Sequence, residues 1–196
     1  DMEQAEVTIR QLLTHTSGLD PFIPGRDDLD AEGLKEALHR LKLKDSRQFH
    51  YTDVNFLLLG FLLEKWFGQD LEQIFQEQVF APWQMKETTF GPVSQAVPTL
   101  RGLPAGVVHD PKARVLGVHA GSAGLFSTIK DMEIFLEHYL QDPFAEILSQ
   151  NYALEEGKMR SLSWNLEGDW LDHTGYTGTF LLYNRKLQLA AVFLSN

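Results

Sequence analysis

The chain has 196 residues, of which 43% are hydrophobic and 11% aromatic, with a formal net charge of −10 and no cysteine. That length and apolar content suit one globular domain with a sizeable core and exclude a disordered chain. The acidic balance argues against nucleic-acid or anionic-membrane partners, no stretch has the length of a membrane span or signal peptide, and disulfides, thiolate metal sites and a cysteine nucleophile are excluded.

Thr8 is placed to cap a short helix over 9–15 that turns Ile9, Leu12 and Leu13 inward, and Ser17-Gly18 breaks it. His15 lies in the Thr/Ser-rich turn, where a histidine is expected to hydrogen-bond backbone rather than act in catalysis. Leu34, Ala37, Leu38 and Leu41 predict an amphipathic helix over 30–44, with Lys35, His39, Arg40, Lys42, Lys44 and nearby Arg47 on a solvated basic face. Next comes QFHYTDVNFLLLGFLLEKWFG, residues 48–68. Thr52 or Asp53 can cap its helix, Gly68 can end it, and its apolar residues leave almost no polar face, which predicts burial inside a larger domain. Tyr51 and Asp53, two apart in an extended entry, would put a phenol and a carboxylate on one cleft wall. Leu71, Ile74, Phe75 and Val79 mark a further helix, closed by Ala81-Pro82.

Residues 91–124 are rich in Gly and Pro and predict a long surface excursion of the kind that lines sites. His109, Asp110 and His119 within it match no metal-ligand spacing, so no metal is expected. Thr128-Ile129-Lys130-Asp131 predicts a capping box for a helix with Met132, Phe135, Leu136, Tyr139 and Leu140 inward, ended by Asp142-Pro143. From Met159 the pattern changes to strands over 161–166, 170–174, 179–183 and 187–195, antiparallel neighbours by their short connections, the last pair joined at Asn184-Arg185-Lys186. Among them sits Asp172-His173-Thr174-Gly175-Tyr176-Thr177-Gly178. These residue types suit a substrate wall: a small Gly admits a substrate backbone, Thr offers a hydroxyl, and His173 a donor facing the same cleft.

Several stretches resemble the serine beta-lactamase and penicillin-binding-protein-like family of the class C and D,D-peptidase type. Tyr51-Thr52-Asp53 stands where that family has Tyr-x-Asn, and VTIRQLLTHTSGL closely matches another of its signatures. QVFAPWQMKETTF resembles its exit turn, and VVHDPKARVLG and AGSAGLFST resemble loops that border the cleft in a sub-branch. His173-Thr174-Gly175 resembles its Lys-Thr-Gly element, with histidine replacing lysine. The resemblance implies an α+β fold, an antiparallel sheet flanked by helices plus a mostly helical region. In one incomplete domain over 1–196, the helical region would span about 20–150, and 1–19 and 151–196 would belong to the sheet-bearing part.

The resemblance also implies acyl transfer, in which a serine attacks an ester or amide carbonyl of a beta-lactam, D-Ala-type peptide or small ester and water then releases the acyl group. Tyr51 would accept or relay the serine proton, Asp53 would pair with the family's lysine or hold a substrate amide, and His173, Thr174 and Gly175 would meet the substrate. The Tyr176 backbone N–H would help form the oxyanion hole. A phenol titrates near pH 10, so this role needs nearby cations, and a carboxylate at Asp53 opposes it. A neutral imidazole at His173 attracts carboxylates less than lysine does, favouring simple esters. The family's Ser-x-x-Lys nucleophile lies upstream of a stretch like VTIRQLLTHTSGL, so it is expected ahead of Asp1, with the opening strands and closing helix also outside these residues. The chain as given is then expected to be inactive and to bare an edge at 187–195 open to self-association. No cofactor is implied, and the localisation stays open, cytoplasmic or cell-envelope. Two other readings remain: a non-catalytic, receptor-like binding module on the same fold, and an alpha/beta-hydrolase with Ser122 of AGSAG as nucleophile, followed by Asp142, Asp169 or Asp172 and then His173.

Overall fold

A computed structural model describes residues 6–195. Thr8 caps α1 (Ile9–Leu13) reciprocally: its hydroxyl accepts the Gln11 N–H at 3.2 Å, and the Gln11 side-chain oxygen accepts the Thr8 N–H at 2.8 Å. Leu12 is buried, but Ile9 lies on the exposed side of α1, contrary to expectation. Asp30 caps α2 (Ala31–His39) through the Gly33 N–H at 2.8 Å. This helix stops short of the expected 44. Leu41 is buried outside it and Leu43 forms an isolated bridge with Leu19, so tertiary pairing takes residues whose spacing suits a helix.

α3 (Val54–Phe67) ends at Gly68, which has the left-handed φ of 69°. Val54, Asn55, Leu57, Gly60 and Phe61 are buried, whereas Trp66 and Phe67 are exposed, so the burial expected all round fails in the last turn. α4 (Leu71–Phe75), capped by Asp70, runs through a π-type turn, Gln76–Phe80, into α5 (Ala81–Trp83). Pro82 therefore does not close the helix as expected. It occupies the first turn of α5, where its missing N–H leaves no bond unmade, and left-handed Gln84 makes the stop.

The segment over 91–124 carries more structure than a loop. β1 (Thr89–Phe90) pairs antiparallel with β2 (Leu125–Phe126), and between them lie α6 (Pro111–Leu116) and a 3-10 turn, Gly117–His119. α3 meets this segment backbone to backbone: a Cβ on Gly121 would lie 2.2 Å from the Phe56 carbonyl oxygen and 3.1 Å from the Gly60 Cα. Only glycine at 121 permits that approach, which seats the 117–124 turn against α3. α7 (Ile129–Gln141) follows. Thr128 accepts the Asp131 N–H at 3.3 Å, but the Asp131 carboxylate turns away to the Glu87 N–H and the Thr88 hydroxyl, both at 2.8 Å, so half the expected capping box forms.

Among the described residues, β3 (Asn165–Glu167), β4 (Trp170–Thr174), β5 (Phe180–Asn184) and β6 (Leu189–Phe193) form an antiparallel sheet in the order β3-β4-β5-β6. The first strand starts later than expected because Ser161 and Ser163 turn back to the Leu148 and Leu13 carbonyls. β6 is an outer strand, with Leu189, Ala190, Ala191 and Phe193 exposed. Two cores result. Leu12, Leu34, Leu38, Val54, Leu57 and Leu116 join α1, α2, α3 and α6, while Leu136, Trp164, Leu166, Leu171 and Tyr183 pack α7 on the sheet. Each fully buried leucine, such as Leu57, contributes about 2 kcal/mol.

Every described strand pair is antiparallel, so the alternating parallel sheet required by the alpha/beta-hydrolase reading is not formed. Ser122 stands in a turn ahead of two-residue β2 rather than on a strand-to-helix elbow.

Candidate active site

Tyr51 stands in the extended entry to α3, its side chain exposed, and packs against two imidazoles. Its ring centroid lies 4.4 Å from that of His15 and 6.3 Å from that of His173 on β4, so the helical region and the sheet meet at this residue. His15 follows α1 in the left-handed conformation, with φ 56°, and is buried. Its Nδ1 receives the Thr52 N–H at 3.3 Å and the Asn55 amide at 3.0 Å, while Asn55 Oδ1 accepts the Ser17 hydroxyl at 2.6 Å. Both donors need the lone pair on Nδ1, which leaves the ring proton on Nε2, itself buried without a partner among the described residues. The His15 pKa is lowered from 6.5 to about 4, first by burial and then by the charges of Arg160 and His173. The ring is therefore neutral at pH 7.

Asp53 heads α3 but makes no capping hydrogen bond, contrary to expectation. Its Oδ2 instead lies 2.7 Å from Lys112 Nζ on α6, and Thr52 offers only a long contact, 3.4 Å, to the Val54 N–H. The carboxylate has left the helix end for a fixed cation.

On the facing wall, β4 carries His173 and Thr174, paired with Leu181 and Phe180 of β5. His173 is half-buried, with Nδ1 3.0 Å from the Thr174 carbonyl oxygen, and burial followed by the Arg160 charge holds its pKa below the ordinary value. Thr174 is exposed. Gly175 donates its N–H to the Thr179 carbonyl at 2.7 Å, and a Cβ there would meet Thr179 Oγ1 at 2.3 Å, so its small size serves the hairpin itself. Tyr176 is exposed and stacks on His109 of the 91–124 segment, 4.8 Å between centroids. Among the described residues its backbone N–H has no acceptor. The Tyr51 ring thus lies between those of His15 and His173, Asp53 is tied to Lys112, and Thr174 and Tyr176 continue the β4 wall toward His109.

The layer behind Tyr51 escaped the sequence reading. Arg160 is buried, its guanidinium 5.0 Å over the Phe49 ring, with Nη1 donating to Asn165 Oδ1. Asn165 in turn donates to Asp172 Oδ1 at 2.9 Å. Burial lowers the Arg160 pKa, with Tyr51 and Asp172 opposing that shift, and a guanidinium still remains charged at pH 7. A cavity of about 190 Å³ opens beside it, lined by Thr14, Thr16, Phe49, Leu154, Arg160 and Asn165 among others. Asn55 was detectable as the lone polar residue in the first two turns of an apolar helix, whereas nothing local marks Arg160 or Lys112. His109 and Asp110 are otherwise occupied: one stacks on Tyr176, and the other caps α6 through the Ala113 N–H at 2.8 Å. Among the described residues, no three His, Asp or Glu side chains cluster to hold a metal.

The model of the family described as Beta-lactamase matches residues 2–196. The chain belongs to the Beta-lactamase family. This Beta-lactamase-family chain is 26% identical to a protein of Escherichia coli O157:H7 named "Putative D-alanyl-D-alanine carboxypeptidase", over 96% of this chain and 56% of that protein. It thus spans a little over half the length of that relative. Among solved structures, it resembles "EstCE1, a hydrolase with promiscuous acyltransferase activity", with a TM-score of 0.72, 20% identity, and coverage of 96% of this chain and 66% of that one. It also resembles a class C beta lactamase, with a TM-score of 0.71, 16% identity, and coverage of 97% and 65%. At those identities the structures attest the fold, an α+β arrangement of helices and antiparallel sheet.

The expectation for the family's nucleophile overlooks one literal match, Ser127-Thr128-Ile129-Lys130. In this Beta-lactamase-family fold, the Ser127 hydroxyl is bonded to Thr88 Oγ1 at 2.7 Å and Lys130 is exposed at the start of α7. Neither Tyr51 nor His173 is among their partners, so the tetrapeptide matches the pattern without the surroundings.

Proposed function

We propose that the protein is a serine hydrolase that cleaves an ester or amide through an acyl-enzyme, with Tyr51 as proton carrier between the α3 wall and the β4 wall. The observation that carries this reading is the contact of Tyr51 with His173, 6.3 Å between centroids, across the two walls. Arg160 supplies positive charge behind the phenol, and the two imidazoles add none at neutral pH. A serine from a segment outside these residues attacks the substrate carbonyl carbon while its proton passes to Tyr51. The oxyanion is received by the Tyr176 N–H. The C–O or C–N bond then breaks, the leaving group takes a proton, and water repeats the sequence on the acyl-enzyme. Asp53 and Thr174 present an acceptor and a hydroxyl to the substrate. The names of the relative and structural neighbours point to D-Ala-type peptides and beta-lactams as substrate classes and to acyl transfer as the chemistry, to which small esters are added as further acyl donors. A neutral imidazole at His173, in place of a lysine, favours uncharged esters among them.

The test is ester hydrolysis by protein expressed from the complete coding sequence. Removing the phenolic hydroxyl in Tyr51→Phe lowers kcat/KM by about 10²-fold or more, the scale of a lost proton-transfer group. Parent-like turnover by that variant would remove Tyr51 from the chemistry.

A further inference from the structure

Asp53 sets an electrostatic problem for Tyr51. The two residues are two positions apart, so their Cα atoms lie within about 7 Å even along an extended chain. An uncompensated carboxylate at that range opposes negative charge on the phenol. Lys112 stands against it, with Nζ 2.7 Å from Oδ2 and only 12% of the lysine and 29% of the aspartate side chain exposed. The pair is held by fixed backbone at both ends. Asp110 caps α6, Ala113 and Leu116 anchor that helix in the core, and Val54 and Leu57 anchor α3 in the same cluster. It therefore differs from the exposed, mobile ion pairs that contribute little.

We propose that Lys112 is a positioning residue of this site, cancelling the charge of Asp53 so that the ion pair replaces a neutral side-chain amide beside Tyr51. This inference rests on the reading of Tyr51 as proton carrier. An ammonium N–H beside a carboxylate oxygen offers the donor and acceptor that an asparagine amide offers, with no net charge. Asp53 Oδ1, which has no partner among the described residues, keeps an acceptor available for a substrate amide N–H. The other charged or titratable groups around Tyr51 come from three directions. His15 follows α1, Arg160 precedes β3, and His173 lies on β4 beside Asp172, whose Oδ1 takes the Asn165 amide. His50 is the chain neighbour of Tyr51.

The experiment compares Lys112→Met, Lys112→Arg, Asp53→Asn and Asp53→Asn/Lys112→Met in protein expressed from the complete coding sequence. In Lys112→Met the acidic limb of the kcat/KM pH profile moves up by about one pH unit, with about a tenfold loss on that limb carried mainly by kcat, as expected for one unit charge a few ångströms away under partial screening. Lys112→Arg keeps the limb in place, and adding Asp53→Asn to Lys112→Met brings it back. A purely structural lysine gives a different result: activity falls at every pH, and deleting a second charge rescues nothing. A Lys112→Met profile that superposes on the parent overturns the inference, as does a limb that stays displaced in the double variant. Should Lys112→Met fail to fold, Lys112→Gln takes its place. Tyr51→Phe separates the two claims: a parent-like Tyr51→Phe ends the functional reading, whereas an inactive one beside a parent-like Lys112→Met ends only the role of Lys112.

Discussion

His15 makes folding stability depend on acid in a measurable way. Its pKa drops from 6.5 to about 4 on folding, so between those values the unfolded chain binds a proton that the folded protein excludes. Stability then rises with pH across that window. The contribution is fully present above pH 6.5, falls as the pH drops toward 4, and levels off below it. At about 1.4 kcal/mol per pH unit, the loss between pH 7 and pH 4 is about 3 kcal/mol, a sizeable part of a domain's stability. Because His15 is only 2% exposed, solvent screening does not erase the effect. The assay is urea unfolding of the parent and of His15→Gln at steps from pH 7 to pH 4. His173 shifts in the same direction and remains in both proteins, so the parent-minus-variant difference isolates His15. That difference shrinks by about 3 kcal/mol toward pH 4. A flat difference, or one that grows as the pH falls, refutes the buried neutral imidazole.

Two further outcomes follow from packing and charge. Gly121→Val forces a side chain to within 2.2 Å of the Phe56 carbonyl and costs at least about 3 kcal/mol in chemical denaturation, the scale of severe overpacking, and a near-neutral result would show that α3 and the 117–124 turn do not meet as described. His173→Lys restores a cation on the β4 wall and raises penicillin acylation relative to ester cleavage, about tenfold, measured as the ratio of the two rates; an unchanged ratio would discard the account of this position.

The four strands of the C-terminal sheet and the Thr8 and Thr128 caps are plain in the sequence, because alternation and cap residues act locally, whereas two-residue β1 and β2 and the Asp30, Asp70 and Asp110 caps are not among its expectations. Trp170–Thr174 stands where alternation puts it, and Thr8 and Thr128 cap as their chemistry predicts, whereas Asp53, a candidate cap together with Thr52, gives its carboxylate to Lys112. Leu41 and Leu43 defeated helical periodicity, since spacing alone cannot reveal that Leu19 awaits Leu43 across the chain. α6 lay hidden among Gly and Pro loop signals, although Asp110-Pro111 is itself a cap followed by a first-turn proline. Of the site, Tyr51, Asp53 and His173 were legible through motif resemblance. Lys112 and Arg160 were not, since each reaches its partner only through tertiary packing.

The most direct measurement is peptide mapping of a trapped acyl adduct on protein expressed from the complete coding sequence, after a brief reaction with an activated ester. The account predicts a stoichiometric adduct on a serine outside these 196 residues, formed at least about a hundredfold more slowly in Tyr51→Phe. An adduct on Ser122 or Ser127, or one formed equally fast without the Tyr51 hydroxyl, would contradict it; no adduct at all would favour a non-catalytic binding module.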